Sequence, residues 1–431
     1  MAKHDGRKAA YRALLKVERD GAYANLELAK ASAGLDHREA ALATELVAGS
    51  CRAQGTFDRI ITAASGRALN WFQPGVLVLL RMACQQLFLM RTPEHAAVDS
   101  TVKLARAELG QRVTGLVNAI CRKIAKQELE DWIVQIAQDD ADLLALSTFH
   151  PGWIVQAFAD VLPSEELIPA LEADNQPPRV MLALRPGLAD FSEFSSCEAA
   201  KYSPYGVYAD RTPGEITAVK DGRASVQDEG SQLVALALSR ADAPPGPWLD
   251  MCAGPGGKSA LLAGFADQNG DSFLAAELHE HRAKLVRDNL RLYRAPVIQA
   301  DGTQPPWKPG SFSRVLADVP CSGLGALRRR PDARWRKSLD DIQELAGLQR
   351  ALLNSALDAL KPGGAAAYVT CSPHLDETVR VLESLERTDF EFERAASLLP
   401  NVPECSEGDY VQLWPHRHGT DAMFLAVLRK K

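Results

Sequence analysis

The 431-residue sequence contains no pair of cysteines with the CxxC spacing, although it has eight cysteines. This absence argues against a disulfide framework or a zinc site, and it indicates reduced thiols in a cytoplasmic protein. No uninterrupted apolar run reaches about 18 residues, so no transmembrane helix is predicted. The polar first residues lack the apolar stretch of a signal peptide. We therefore expect neither a membrane nor a metal as a partner.

The sequence also lacks an excess of positive charge. Its 49 Lys and Arg against 55 Asp and Glu give a formal net charge of −6. Binding to nucleic acid would therefore depend on a local basic patch. The densest patch, residues 327–337, carries six positive charges against one negative. We predict that it contacts phosphates. Its arginines are Arg328, Arg329, Arg330, Arg334 and Arg336.

The length predicts two or three domains. Residues 1–145 have apolar residues spaced by three and four with few strand signals, which predicts an all-helical domain. Residues 146–225 predict a small α+β connector with a short strand at 180–184. Residues 226–431 alternate strands with helices, which predicts a mainly parallel sheet covered by helices on both faces.

A glycine-rich loop, Asp-Met-Cys-Ala-Gly-Pro-Gly-Gly-Lys-Ser at 250–259, follows the first strand of this last region. Gly254, Gly256 and Gly257 allow a tight turn and a close approach to a ligand. The helix that follows offers free backbone N–H groups. A phosphate-binding P-loop would need glycine at 252, where cysteine stands. The loop therefore indicates a different nucleotide-like cofactor.

Four acidic residues close successive predicted strands of this region. A single acidic residue there is more often a cap or turn residue, but four in register predict one crevice beyond the carboxyl ends of the strands. Glu277 is expected to bind ribose hydroxyls, and Asp301 is expected to meet an adenine edge. The other two acidic residues are Asp250 and Asp318.

Two cysteines follow predicted strand ends: Cys321 in Asp-Val-Pro-Cys-Ser-Gly and Cys371 in Thr-Cys-Ser-Pro. Carbon 5 of cytosine is a poor nucleophile until a thiolate adds at carbon 6 and makes the ring an enamine. Two thiols beside a methyl donor therefore indicate covalent attack on a pyrimidine. The alternative for any free cysteine is a small buried side chain, which we expect for Cys84, Cys121 and Cys252.

These motifs resemble those of the RNA cytosine-5 methyltransferases, most closely the ribosomal small-subunit RsmB (Sun/Fmu) type. The glycine-rich motif of that family matches residues 250–258, its Asp-Ala-Pro-Cys motif matches 318–321, and its Thr-Cys-Ser motif matches 370–372. The helical region 1–145 resembles the NusB antitermination fold, an RNA-binding bundle. Glu277 and Val319 stand where the family more often has Asp and Ala.

The resemblance implies a Rossmann-like methyltransferase domain that uses S-adenosyl-L-methionine and acts on RNA, with 16S rRNA expected. The sequence leaves the oligomeric state open, and a monomer is one possibility. The resemblance also implies that Cys371 is the nucleophile and that Cys321 assists product release. Asp318, with Lys258, is expected to orient the cytosine. The implied cofactor contacts are Cys252, Ala253, Gly254, Pro255, Gly256, Gly257, Lys258, Glu277, Asp301 and Asp318.

Several alternatives stay open at this point. The cysteines could exchange roles, as in DNA cytosine-5 enzymes, where the Pro-Cys thiol attacks. The methyl acceptor could be an amino group, although such enzymes usually carry Asn/Asp-Pro-Pro-Tyr where this chain has Asp-Val-Pro-Cys. The RNA could be tRNA or another RNA, or the chain could be a non-enzymatic RNA-binding or antitermination factor.

Overall fold

The computed structural model describes residues 5–431, which form two compact units. The helical unit contains residues 5–159, 163–175 and 327–336, and the sheet unit contains the remainder. The predicted connector at 146–225 is therefore divided. Its first part packs with the helices and its second part with the sheet, because the chain there supplies two helices and then three short strands.

The helical unit is built on amphipathic helices, as the spacing of its apolar residues predicts. Asp36 accepts a hydrogen bond from Glu39 N and so caps its third helix. Its fifth helix is buried from Gly75 to Cys84, and a π-helix at Gln85–Leu89 extends it. The helices are α1 (Gly6–Asp20), α2 (Ala24–Ala31), α3 (His37–Arg52), α4 (Gln54–Ser65), α5 (Pro74–Cys84), α6 (Glu94–Leu109), α7 (Thr114–Ile124), α8 (Leu129–Ile136), α9 (Asp140–Ser147), α10 (Gly152–Ala159) and α11 (Ser164–Ala173).

The sheet unit opens with a small antiparallel sheet. Its strands are β1 (Met181–Leu184), β2 (Gly206–Tyr208) and β3 (Ala224–Val226), in the order β2-β1-β3. A short helix, α12 (Thr217–Asp221), precedes β3. All four residues of β1 are buried, as expected for the central strand of a covered sheet.

A nine-stranded sheet follows, and its central strands are parallel. The chain forms α13 (Glu229–Arg240), β4 (Trp248–Asp250), α14 (Gly257–Asn269), β5 (Phe273–Glu277), α15 (Glu280–Leu290), β6 (Val297–Gln299), β7 (Phe312–Asp318), α16 (Leu339–Ala359), β8 (Leu360–Thr370), α17 (Val379–Glu383), β9 (Phe390–Glu393), β10 (Ser406–Glu407), β11 (Tyr410–Gln412), α18 (Pro415–His418) and β12 (Phe424–Lys430). The strand order is β10-β11-β12-β8-β7-β4-β5-β6, and β9 also pairs with β12.

Helices cover both faces of this sheet, as predicted. Side chains of α13, α14 and α15 form one core with one face, and side chains of α16 and α17 form another with the opposite face. Strands β6, β5, β4, β7 and β8 run parallel, while β12 is antiparallel to β8. The strand order reverses direction at β4 and β7, which is where ligands bind in open α/β sheets.

Three strands and one helix near the end of the chain, β9, β10, β11 and α18, were missed by the sequence analysis. Strands β9 and β11 pair with the antiparallel strand β12, and β10 pairs with β11. None of these pairs belongs to a βα repeat, so the alternation of strands and helices does not predict them. Helix α16 ends at Ala359, and the Pro-Gly-Gly stretch at 362–364 lies within the following strand β8. A register shift occurs there, because Phe312 pairs with Leu360 while Arg314 pairs with Ala365.

Within residues 5–431, no helix has the length and apolarity needed to cross a bilayer. The same described part of the chain contains no cluster of three or more His, Cys, Asp or Glu side chains placed to hold a metal ion.

Candidate active site

The predicted site residues converge at the carboxyl edge of the parallel strands. Asp250 ends β4, Glu277 ends β5 and Asp318 ends β7, while Cys371 directly follows β8. These four strands are neighbours in the order β5-β4-β7-β8. Because parallel strands present their carboxyl ends at one edge, residues more than a hundred positions apart are brought together.

The glycine-rich loop is held against Glu277. Gly254 N donates to Glu277 Oε2 over 2.9 Å, and Arg282 Nη2 donates to Gly254 O over 2.6 Å. A Cβ at position 254 would lie 2.3 Å from Glu277 Oε2, so any larger residue there would displace this carboxylate. Gly256, with φ +111°, begins α14 without a side-chain cap. The first N–H groups of α14 are therefore available to a ligand.

Asp250 differs from the prediction that it lines the crevice. It is 1% exposed and accepts a hydrogen bond from Ser259 Oγ at 2.6 Å and from Cys252 N at 3.3 Å. Burial raises the pKa of Asp250 to about 7, and the charge of Asp318 adds to this effect. Asp250 therefore anchors the loop from beneath. Cys252, interpreted as a packing residue, has a pKa raised by burial.

Asp301 follows β6 at the same edge of the sheet. Its Oδ1 accepts hydrogen bonds from Thr303 N at 2.8 Å and from Thr303 Oγ1 at 2.7 Å. These bonds lower the pKa of Asp301 and keep it ionised. Ala300 N donates to Glu277 O at 3.1 Å, so the turn that carries Asp301 lies beside the end of β5.

Lys258 and Asp318 form an ion pair between the first turn of α14 and the end of β7. Lys258 Nζ lies 2.8 Å from Asp318 Oδ2, and both side chains are mostly buried. Burial disfavours the charged form of Lys258, but the charge of Asp318 and its hydrogen bond outweigh this effect, so the pKa of Lys258 is raised. The two residues that the resemblance assigns to orienting the cytosine are therefore in direct contact.

The two cysteines are in contact. Cys321 Sγ and Cys371 Sγ lie 3.3 Å apart, and both residues are half-buried. The hydrogen bond from Cys321 lowers the pKa of Cys371, and Lys258 acts in the same direction. The hydrogen bond to Cys371 raises the pKa of Cys321, and burial adds to the increase. The 3.3 Å contact by itself allows either sulfur to donate. The opposite directions of the two pKa shifts favour Cys371 as the thiolate and Cys321 as the thiol donor.

A buried carboxylate that the sequence analysis missed, Glu377, lies behind the cysteines. Ser322 N donates to Glu377 Oε1 over 2.7 Å, and Ser322 Oγ donates to Glu377 Oε2 over 2.5 Å. Gln349 Nε2 donates to Glu377 Oε1 at 3.1 Å and to Pro320 O at 2.9 Å. Ser372 Oγ lies 3.1 Å from Ser322 Oγ, whose single proton is given to Glu377, so Ser372 is the donor between these two hydroxyls. The sequence around Glu377 carries no signal for its burial, so the residue was not among the predicted site residues.

The predicted RNA contact at Arg334 is wrong. Arg334 is fully buried within the helical unit. Its guanidinium donates to Phe149 O at 2.9 Å, to Asn175 Oδ1 at 2.7 Å and to Asp174 O at 2.9 Å. A side chain without solvent access cannot meet a phosphate, so Arg334 is part of the core of this unit.

Arg336 is also engaged by the protein. Its guanidinium donates to Gly21 O over 2.7 Å and to Ala22 O, and it pairs with Asp332 at 2.9 Å. A phosphate contact at Arg336 would have to displace these acceptors. The contiguous arginines of the basic patch differ in exposure: Arg328 and Arg329 are half-buried, while Arg330 is exposed.

Three features together define a Rossmann-like methyltransferase domain. They are a parallel sheet with this strand order, a glycine-rich loop held by a glutamate at a strand end, and a thiol pair beyond the ends of the next two strands. Together with the helical unit, this domain makes a two-part methyltransferase. The sequence model described as "16S rRNA methyltransferase RsmB/F" matches residues 234–429, and that of the NusB family matches residues 4–126. The chain belongs to the RsmB/F family of S-adenosylmethionine-dependent methyltransferases and carries a NusB-family domain, as predicted.

Relatives match over nearly the full length. The protein Rv1407 of Mycobacterium tuberculosis is 46% identical, and the alignment covers 98% of this chain and 96% of the relative. Ribosomal RNA small subunit methyltransferase B of Vibrio cholerae is 32% identical, and the alignment covers 99% of this chain and 97% of the relative. The crystal structure of PH0851 has a TM-score of 0.81 at 20% identity, and the match covers 98% of this chain and 99% of that chain. This similarity shows a shared fold.

Proposed function

We propose that this protein methylates carbon 5 of a cytosine in 16S rRNA through a covalent adduct between Cys371 and carbon 6 of that base. The observation that carries the proposal is the 3.3 Å contact between Cys321 Sγ and Cys371 Sγ at the carboxyl edge of the sheet. Covalent catalysis at a pyrimidine needs one activated thiolate, and this contact supplies a donor that stabilises it.

The residues present fit S-adenosylmethionine. Gly254 lets Glu277 approach the loop where a Cβ would collide with its Oε2, the first N–H groups of α14 are uncapped, and Glu277 ends the adjacent strand. When bound, the cofactor supplies an electrophilic methyl group. Glu277 is the candidate to hold its ribose hydroxyls, because acidic residues at this position of the second strand do so in related folds. Asp301 is the candidate for its adenine edge.

Asp318 is proposed to orient the target base. Its Oδ2 is fixed by Lys258 Nζ at 2.8 Å, which leaves the other oxygen for the base. The carboxyl accepts a hydrogen bond from the 4-amino group of cytosine when ionised, and donates to N3 when protonated. A hydrogen bond to N3 stabilises the negative charge that the ring gains as the thiolate adds at carbon 6.

Cys371 and Cys321 divide the covalent chemistry. The Cys371 thiolate adds at carbon 6, which makes carbon 5 nucleophilic toward the methyl group. Loss of the carbon 5 proton to a base then restores the carbon 5–carbon 6 double bond and expels the Cys371 thiolate. The Cys321 thiol stabilises this leaving sulfur by donating to it, which supports its role in product release.

The choice of 16S rRNA is supported by relatives whose names state that substrate class. Ribosomal RNA small subunit methyltransferase B of Vibrio cholerae matches this chain from end to end. The target base must be unstacked for carbon 6 to reach a thiol. Arg328, Arg329 and Arg330, which lie shortly after Cys321 in the chain, and the NusB-family domain are proposed to hold the RNA backbone.

The proposal is tested by trapping with RNA that contains 5-fluorocytosine, whose fluorine cannot leave as a cation, so that the adduct persists. The wild type and Cys321→Ala should form a covalent RNA complex in a denaturing gel, and Cys371→Ala should form none. With ordinary RNA, Cys321→Ala should accumulate the complex because release is impaired. An adduct that survives in Cys371→Ala but is lost in Cys321→Ala would reverse the assignment of the two thiols.

The RNA is identified by bisulfite sequencing of total RNA from a strain lacking the gene. A single unprotected cytosine in 16S rRNA is expected. Loss of protection in tRNA or another RNA would instead assign that substrate, and no change in any RNA, together with no cofactor binding by calorimetry, would favour a non-enzymatic RNA-binding factor.

A further inference from the structure

Glu377 lies at the centre of a buried network that connects the two cysteine motifs. Its side chain is fully buried and accepts hydrogen bonds from Ser322 N, Ser322 Oγ and Gln349 Nε2. Ser322 follows Cys321 in the chain, and Ser372 follows Cys371. Because Ser322 Oγ also lies 3.1 Å from Ser372 Oγ, the carboxylate is linked to both Cys-Ser pairs through one hydroxyl.

The position of Glu377 is itself rigid. Its N–H donates to His374 O at 2.9 Å, and Tyr368 OH donates to its carbonyl at 2.8 Å. Gln349 on α16 then ties the carboxylate to Pro320 O, immediately before Cys321. A carboxylate held by three donors and two further backbone bonds cannot move away from the turn that carries Cys321.

The charge of Glu377 acts unequally on the two thiols. It contributes to the raised pKa of Cys321, after the hydrogen bond to Cys371, burial and the charge of Cys371. The pKa of Cys371 is set by the hydrogen bond from Cys321, then by burial and by the charges of Asp318, Lys258 and Asp421. A fixed negative charge disfavours a thiolate nearby more than one farther away. The charged or titratable side chains around the pair are Lys258, Asp318, Tyr368, Glu377 and Asp421.

We propose that Glu377 is the positioning residue that assigns the two thiols their roles, keeping Cys321 protonated and aimed at Cys371, and so leaving Cys371 as the nucleophile. This inference rests on the proposed covalent function of Cys371. It gives the buried carboxyl group of Glu377 a role beside the thiol pair. It also gives a reason for the Cys-Ser sequence in both motifs.

The test measures thiol reactivity and not methyl transfer, so its failure is distinct from failure of the proposed function. The full-length protein is alkylated with iodoacetamide between pH 6 and 10, and the rates at Cys321 and Cys371 are read separately by peptide mass spectrometry. Glu377→Gln removes the charge but keeps the size. It should speed alkylation of Cys321 at pH 7 by about tenfold, since a charge a few ångströms away shifts a pKa by about one unit.

Two further variants separate charge from shape. Glu377→Asp keeps the carboxylate and should keep the wild-type ratio of Cys371 to Cys321 alkylation, whereas a merely structural role predicts that both substitutions change it alike. Glu383→Gln, at an exposed position of α17, removes the same charge elsewhere and should change neither rate. An unchanged ratio in Glu377→Gln, or an equal change in Glu377→Asp, would overturn the proposal.

A fourth variant covers the case in which Glu377→Gln gives no cooperative thermal transition. Gln349→Met removes the amide that ties Glu377 to Pro320 while it preserves buried volume. The turn that carries Cys321 then loses a tether, so Cys371 loses its donor more often and should be alkylated more slowly at pH 7. A Cys371 rate equal to that of the wild type would contradict the positioning role.

Discussion

Cys321 Sγ and Cys371 Sγ lie 3.3 Å apart, although fifty residues separate them in the chain. The contact arises because Cys321 follows β7, Cys371 follows β8, and the two strands are adjacent and parallel. A thiol pair at this distance shares one hydrogen bond, so the two sulfurs cannot be equivalent. The predictions below start from this asymmetry.

The first prediction concerns the titration of Cys371. The hydrogen bond from Cys321 lowers the pKa of Cys371, so the thiolate is present above a lower pH than for an ordinary thiol. Cys321→Ala removes the donor and should shift the alkylation profile of Cys371 to higher pH. Cys197→Ala, which removes a half-buried thiol of the small sheet region, is the matched control. Identical profiles for Cys321→Ala and wild type would contradict the hydrogen bond.

The second prediction concerns the cofactor loop. In Gly254→Ala the new Cβ meets Glu277 Oε2 at 2.3 Å, so the loop or the carboxylate must move. Affinity for S-adenosylhomocysteine, measured by calorimetry, should fall at least about tenfold, the loss expected from one good charged hydrogen bond. Gly347→Ala in α16, where a Cβ meets nothing within 4 Å, should bind as the wild type does. If Gly254→Ala bound S-adenosylhomocysteine with the affinity of the wild type, Glu277 would have no role in binding the cofactor.

The third prediction concerns pH and stability. Folding raises the pKa of Asp250 from 3.8 to about 7. The folded state therefore binds the proton of Asp250 more tightly than the unfolded state does. The resulting contribution to the free energy of unfolding is complete below pH 4 and is lost as the pH rises through about 7. Asp250→Asn cannot ionise and should escape this loss. At about 1.4 kcal/mol per pKa unit, the free energy of unfolding of Asp250→Asn relative to that of the wild type should rise by up to roughly 4 kcal/mol across this pH range.

This third prediction is checked by urea denaturation at pH 4.5 and pH 8. The difference between Asp250→Asn and wild type should become more favourable to the variant at the higher pH. Asp267→Asn, on the exposed part of α14, changes the same charge at the surface and should show no such trend. A difference that is constant with pH would mean that Asp250 is ionised in the folded protein throughout.

The fourth prediction separates two arginines of the basic patch. Arg334→Ala leaves Phe149 O, Asp174 O and Asn175 Oδ1 without their donor, so it should destabilise the helical unit by about 2–4 kcal/mol. Arg330→Ala, at an exposed position, should leave the thermal midpoint within about a degree, since surface changes are usually small. Thermal melts followed by circular dichroism test this difference.

The Arg330→Ala variant is also tested for RNA binding. Arg330→Ala should weaken binding and make its salt dependence shallower, because a released phosphate contact contributes close to one unit of slope. Filter binding across a range of salt concentrations measures this. An unchanged slope for Arg330→Ala would remove this arginine from the RNA-binding surface.

Much of the architecture could be predicted from local pattern. Strand-helix alternation from β4 to β8 identified the parallel sheet, and strand-end residues such as Glu277 and Asp318 followed from it. The edge strands β9, β10 and β11 could not be predicted, because they are short and antiparallel, and their partner β12 lies later in the chain. The division of residues 146–225 between the two units could not be predicted either, since it depends on which core each short segment joins.

The sequence by itself determined which residues stand at strand ends, and therefore that Gly254, Glu277, Asp318, Cys321 and Cys371 would meet at one edge of a sheet. Periodicity and loop composition are local properties, and they suffice for that inference. Only the tertiary structure decided that Arg334 is a core residue, that Asp250 lies beneath the loop, and that Glu377 stands behind the thiols. Burial and pairing of a charged side chain depend on partners far away in the chain, and no local pattern records them.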